Sequence, residues 1–153
     1  MRRKARNVVV RSIIMPIAVP VVLLVRLIRP WFLIRFVHIR SDVIAHRVWD
    51  PEHYLSGREW DKSKTIDCFY ILSGNPPPNE QWTIMVRRNL RISSFYWSLD
   101  IVNRLIPGVE MHHKEAVTLG SSHLNGYFVR TKPHIKFISE EDDHGRQFLE
   151  KIV

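Results

Sequence analysis

The first forty residues contain no aspartate and no glutamate, yet they carry nine arginines and lysines. The other 113 residues hold 14 basic and 15 acidic side chains, so the chain's formal charge of +8 is an excess confined to one end. A uniformly basic protein would point to nucleic acid. A neutral body behind a basic, apolar leader points instead to an anionic membrane surface, and no nucleic-acid partner is expected. Cysteine is nearly absent: Cys68 alone excludes an intramolecular disulfide framework and any multi-cysteine zinc site, and it suits a reducing compartment. Glycine is scarce, with six against nine prolines, a balance that argues against a plain helical bundle. There is no G-x-G-x-x-G and no Walker sequence, so neither phosphate cradle is present. Gly120-Ser121-Ser122-His123 lacks the G-x-S-x-G pattern of a nucleophile elbow and reads as a loop. No H-E-x-x-H or comparable pair exists, and the adjacent His112 and His113 must diverge in any regular element, so no metal is expected.

What is present begins with the leader. Met1–Arg11 is strongly basic, Ile13–Val25 is apolar, and Arg26 and Arg29 follow. Taken to Ile28 the apolar stretch is 16 residues long; as a helix it would reach ~24 Å, short of the ~30 Å hydrocarbon core. Pro16 and Pro20 would each remove a helix hydrogen bond. The pattern fits an interfacial or partly inserted anchor over residues 1–30, with a true span and a signal peptide as the rival readings. An ordinary buried helix fits poorly with the prolines and flanking arginines, and a body lacking residues 1–29 is expected to stay soluble. The implied location is an anionic membrane surface, peripheral or single-anchored.

Residues 31–153 read as one α/β domain. Leu33–Ile39 alternates as a strand, with Ile34, Phe36 and His38 on one face. Val43–His46 can start a helix, and Asp50-Pro51-Glu52 is a clearer start, with Asp50 as cap and Pro51 in the first turn. Thr65–Leu72 is the best strand, rich in β-branched and aromatic residues. Asn79-Glu80 opens a helix with Trp82, Met85, Val86 and Leu90 inward. Ser94 opens another, with Phe95, Leu99, Val102 and Ile106 inward and Pro107-Gly108 as its stop. Glu110–Thr118 has room for a short strand. A last helix starts at Ser139 as cap and buries Phe148, Leu149 and Ile152. Alternation of strand and helix gives a Rossmann-like parallel sheet flanked by helices.

Chemistry concentrates at Arg40-Ser41-Asp42-Val43-Ile44-Ala45-His46, at the carboxyl end of the first strand, where open α/β sheets place their ligands. Asp42 can act as general base toward a hydroxyl, Arg40 can hold an anion, and His46 is near enough to share the site. The plainer reading is that Asp42 caps the following helix and His46 faces water. Cys68, inside the best strand, reads as a small buried hydrophobe. Trp82, Phe95, Tyr96 and Trp97 read as core or surface aromatics, since no basic stripe accompanies them.

The stretch L-I-R-F-V-H-I-R-S-D-V-I-A-H resembles the opening strand and first loop of GT-B glycosyltransferases. With D-P-E-H-Y-L, T-I-D-C-F-Y, N-E-Q-W-T-I-M-V-R-R-N-L and K-P-H-I-K-F-I-S-E-E-D-D-H-G-R-Q-F-L-E-K-I, it resembles a bacterial family of glycosyltransferases encoded among surface-polysaccharide genes. Those pieces cover residues 33–152, and Ala45 stands where the family pattern has Gly. The resemblance implies the amino-terminal, acceptor-side half of a GT-B fold, ending before a donor domain, preceded by a basic, apolar membrane-associating helix. It implies a nucleotide-sugar donor as co-substrate, bound mainly by that missing half, a surface-polysaccharide or related glycan acceptor, and no further cofactor. Asp42 and His46 would then be catalytic, and Arg40 and Ser41 substrate-binding. The fragment alone would be inactive. The alternative is a non-catalytic, membrane-tethered α/β module that recruits a partner through the face near Phe148.

Overall fold

Two runs of β-branched and aromatic residues make the sheet. In the computed structural model, which describes residues 2–40, 44–60, 63–72, 79–115 and 130–152, strand β1 is Leu33–Ile39 and strand β2 is Thr65–Ile71. Side chains are described from Met15, and again from Val48 after the start of the second helix. The two strands pair in parallel along their whole length, from Leu33 opposite Thr65 to Ile39 opposite Ile71. Strand β3, His113–Glu115, pairs in parallel with the other edge of β1, giving the order β2-β1-β3. A single parallel bridge between Phe69 and Ile92 adds a rudimentary rung beyond β2.

The period of two divides the sheet as the sequence predicts. Ile34, Phe36, Ile66, Cys68 and Tyr70 face one core, while Val37, Ile39 and Phe69 face the other. The second core is covered by α2 (Ile44–Trp60) and α3 (Glu80–Asn89). The first is covered by α1 (Arg2–Leu27) and α4 (Phe95–Arg104). The fold is therefore α/β, a parallel sheet with helices on both faces. In α3, Asn79 caps the first turn by accepting from the Trp82 amide at 3.0 Å. Gly108, at φ 82°, takes the left-handed conformation that ends the α4 segment, followed by a 3-10 turn at Val109–Met111.

Three expectations change. The two candidate helix starts near residues 43 and 50 merge into one helix, α2, with Pro51 buried inside it and Asp50 buried rather than capping. Pro51 forgoes one intrahelical bond, and its full burial offsets that loss. The last helix, α5 (Ser139–Glu150), has Ile138 at its cap position, and the Glu141 carboxylate accepts the Ile138 amide at 3.0 Å. Ser139 is thus inside the helix, and Phe148, Leu149 and Ile152 are exposed instead of buried. Glu141 anchors α5 through Arg88 and Gln81 of α3.

The third change concerns the leader. Ala18, Val22 and Val25 of α1 are buried with Leu99 and Val102 of α4, and Met15 and Val21 pack beside them. Positions 15, 18, 22 and 25 repeat at the three-and-four spacing of a helix–helix seam. Arg26 locks the end of this seam. Its guanidinium donates to the Pro107 carbonyl at 2.6 Å, to Asn103 Oδ1 at 2.8 Å and to the Ile106 carbonyl at 3.2 Å, carbonyls that follow the last turn of α4. Residues 15–27 therefore share a core with the body, so removing residues 1–29 would uncover it. The prolines did not exclude this packing because Pro16 and Pro20 both lie on the exposed side of the helix. Among the described residues, no helix is long and apolar enough to cross a membrane.

Candidate functional site

Because β2 flanks β1 on one side and β3 on the other, the chain changes winding direction at the β1–β3 junction. The crevice beyond the carboxyl ends of the strands at such a junction is where open α/β sheets receive ligands. Arg40 leaves β1 there and is exposed. Ser41 and Asp42 lie outside the described residues, as does the side chain of His46, whose backbone belongs to the first turn of α2. Gly120–His123 also lies outside them.

Beneath α2, along the same junction, runs a cavity of about 160 Å³. Val37, Ile39 and Phe69 line it from the sheet, with Arg35 of β1 and Lys114 of β3, and Asp50, His53 and Arg58 line it from α2. Typical ligand pockets measure ~300–1,000 Å³, so this one has room for one small group of a ligand.

Two of the lining residues, Arg35 and Tyr54, also hold a buried carboxylate. Arg35 and Asp67 are register partners on β1 and β2. Arg35 Nε donates to Asp67 Oδ1 at 2.7 Å and Nη2 to Oδ2 at 2.9 Å, while the Tyr54 hydroxyl donates to Oδ2 at 2.7 Å. The Asp67 side chain is fully buried, 0% exposed. Burial alone would raise its pKa, but the Arg35 and Tyr54 hydrogen bonds outweigh it and hold the carboxyl below its ordinary value. Tyr54 moves the other way, its hydroxyl pKa raised by burial and by the Asp67 carboxylate.

The opposite face of the sheet carries a second polar cluster, which the sequence reading missed. Asp100, 1% exposed, accepts the Tyr70 hydroxyl at 2.8 Å, Arg104 Nε at 2.8 Å and His113 Nδ1 at 3.0 Å. His38 stacks on Tyr70 with ring centroids 5.2 Å apart. His38 and Tyr70 are the penultimate residues of β1 and β2, so the cluster sits near the carboxyl ends. Burial lowers the His38 pKa, Glu115 opposes that and Arg104 reinforces it. A histidine whose ring nitrogen is held by a buried carboxylate is the arrangement that orients a proton-transfer group. Here Arg104 Nη2 also stands 3.4 Å from both ring nitrogens of His113, which gives the cluster an equally plain role in joining α4 to the sheet. Spacing alone could not reveal it, since Tyr70, Asp100 and His113 are far apart in sequence. The available signal was Asp100 itself, a charge beside Leu99 on the inward face of a helix.

The adjacent histidines do diverge. His112, 2% exposed, points into the core with Nδ1 2.7 Å from the Ile34 carbonyl, and burial lowers its pKa. Cys68 is buried as expected, and burial pushes its thiol pKa up. Among the described residues, no group of three or more His, Cys, Asp or Glu side chains stands together as a metal site. A wider polar groove of about 880 Å³, lined by Arg58, Arg87, Arg88 and Arg91, runs along β2 from Thr65 to Phe69. No protein family, curated protein or solved structure matches this chain.

Proposed function

We propose that this domain is the acceptor-side half of a membrane-associated glycosyltransferase that takes a sugar from a nucleotide-sugar donor to a surface-polysaccharide or related glycan. The observation that carries the reading is the placement of Arg40 at the carboxyl end of β1, beside the β1–β3 junction. The resemblance of residues 33–152 to GT-B enzymes supplies the reaction type. In this reading Asp42 takes the proton of the acceptor hydroxyl as its oxygen attacks the anomeric carbon, and the nucleoside diphosphate leaves with the bonding electrons. Arg40, Ser41 and His46 hold the acceptor or the anionic leaving group, and the cationic cavity under α2 takes one small group of the acceptor. Basic side chains and helix ends can stabilise the departing diphosphate, so the scheme needs no metal. The basic leader keeps the enzyme at the cytoplasmic face of the inner membrane, where a lipid-linked glycan would meet it.

The decisive variant is Asp42→Asn in the chromosomal copy, with the surface glycan and the protein level both measured. Asn keeps the size of Asp and can still cap a helix. A catalytic base typically contributes ~10²–10⁴-fold in rate, so the glycan should be lost while the protein persists at its normal level. An unchanged glycan would remove Asp42 from the mechanism and leave the plainer capping reading, under which Asp42→Ala costs ~0.5–2 kcal/mol.

A second reading has an observation in its favour. Phe148, Leu149 and Ile152 are 60%, 62% and 64% exposed, which suits a non-catalytic module that recruits a partner. Under that reading the Phe148→Ser/Leu149→Ser variant fails in vivo while Asp42→Asn is silent.

A further inference from the structure

Helix α1 presents an apolar face that its own domain does not cover. The inward stripe is Met15, Ala18, Val22 and Val25. The opposite arc is Pro16, Ile17, Val19, Pro20, Leu23, Leu24 and Leu27, every one of them exposed. Ile17, Leu23, Leu24 and Leu27 are 55%, 53%, 57% and 71% exposed, and Trp31 at 68% and Phe32 at 50% extend the surface beyond the helix end. No charged side chain interrupts the arc, because Arg26 folds away onto the end of α4. A helix that is apolar on all sides belongs in a core or in lipid, and a contiguous apolar surface of this kind marks an interaction site.

We propose that α1 lies in the plane of an anionic bilayer, with this arc at the boundary between headgroups and acyl chains and the α/β body on the aqueous side. The proposal rests on the membrane reading above and specifies the face and the orientation. Charge selects lipid as the occupant: Arg2, Arg3, Lys4, Arg6 and Arg11 precede the arc and Arg29 follows it, with no acidic residue in the first forty. Trp31 at the helix end is the kind of side chain that settles at headgroup depth. The prolines select the depth. Pro16 and Pro20 supply no amide hydrogen, so two helix carbonyls one turn earlier need donors that water and headgroups provide and acyl chains do not. Packing selects the orientation, because the inward stripe is committed to Phe36, Tyr70, Leu99 and Val102 and cannot also face lipid.

The test uses the full purified chain and flotation with vesicles of phosphatidylcholine alone or mixed equally with phosphatidylglycerol. The protein should float with the mixed vesicles, and only partly dissociate in high salt, since apolar insertion is not screened. Leu24→Glu/Leu27→Glu should weaken vesicle binding by roughly tenfold or more per residue while leaving thermal unfolding in detergent unchanged. For orientation, Ala5→Cys and Glu150→Cys are each made in a Cys68→Ala background, and a membrane-impermeant maleimide is added outside the loaded vesicles. Labelling of both positions supports the in-plane arrangement. Protection of Ala5→Cys alone would mean a span and overturn this inference while preserving the membrane reading. Failure of the wild type to float at low salt would overturn both, as would a dimer in solution that Leu24→Glu/Leu27→Glu splits without any vesicle binding. Flotation of the double variant equal to wild type would overturn the choice of face.

Discussion

Val22 and Val19 stand one turn apart on α1, chemically identical and differently placed: Val22 is 0% exposed in the seam with α4, and Val19 is 44% exposed on the outer arc. Truncating each to alanine removes the same two methyl groups from the same helix, with the same small gain in helix propensity, ~0.5 kcal/mol. Burial decides the difference. At Val22 the lost transfer free energy is ~1.6 kcal/mol at ~0.8 per methyl, and the cavity left among Phe36, Leu99 and Val102 adds to it. After subtracting the propensity gain, Val22→Ala should cost about 2 kcal/mol, which for a domain of this size lowers Tm by ~4–8 °C. Val19→Ala should stay within ~0.5 kcal/mol. Thermal unfolding by far-ultraviolet circular dichroism, in one mild detergent for all three proteins, measures both. Equal and negligible shifts would refute the packing of α1 on the body and restore the leader to a separate anchor.

Arg35→Leu leaves the buried Asp67 carboxylate with the Tyr54 hydrogen bond and the charge of Lys114 and should cost ~3–5 kcal/mol in urea denaturation, whereas Arg35→Leu/Asp67→Leu should recover most of that; a single-variant loss below ~1 kcal/mol would show that the pair is not desolvated. For His134, burial alone would lower the pKa, but Glu52 and Glu59, each 2.8 Å from a ring nitrogen, outweigh it and raise the pKa above 6.5. A raised folded value stabilises fully below the unfolded pKa and is lost as pH rises through the folded one. His134→Gln should therefore be less stable than wild type near pH 6, with the gap closing on the alkaline side; a gap constant with pH would remove the ion pairs from the account. His38 and His112, whose burial lowers their pKa values, act oppositely and lose stability as pH falls below 6.5.

Where a local rule and the tertiary environment agreed, the sequence was readable. Leu33–Ile39 and Thr65–Ile71 are β-branched, alternate correctly, and pair in parallel as an α/β reading requires. Asn79 and the inward Met85, Val86 and Leu90 follow from capping and period. Local rules failed where a distant partner outweighed them. Asp50-Pro51 has the chemistry of a helix start, but both residues are buried and α2 runs on through them. Phe148 and Leu149 have helical spacing, yet spacing says which residues share a face and not whether anything covers it. The candidate site was legible only as an address. Arg40 could be placed at the end of β1 because strand ends follow from pattern. The Asp67–Arg35–Tyr54 and Asp100–His113–Tyr70 clusters depend on strand register and on helix rotation, which no local pattern encodes.

The packing of α1 changes how the leader and the body can be separated. Were the leader a free anchor, detaching it from lipid would cost only the apolar contact it makes there. With Ala18, Val22 and Val25 inside the first core, the helix cannot be withdrawn without exposing Phe36, Tyr70 and Leu99 beneath it. Truncation at residue 30 therefore replaces an exposed outer arc with an exposed core face, and the product should aggregate where the intact chain does not. Substitution of Leu23, Leu24 and Leu27 by polar residues leaves the inner stripe alone and is the sounder route to a soluble domain. The same division explains the positions of the prolines. Pro16 and Pro20 lie on the exposed side of the helix, so the regular spacing of residues 18, 22 and 25 against α4 survives.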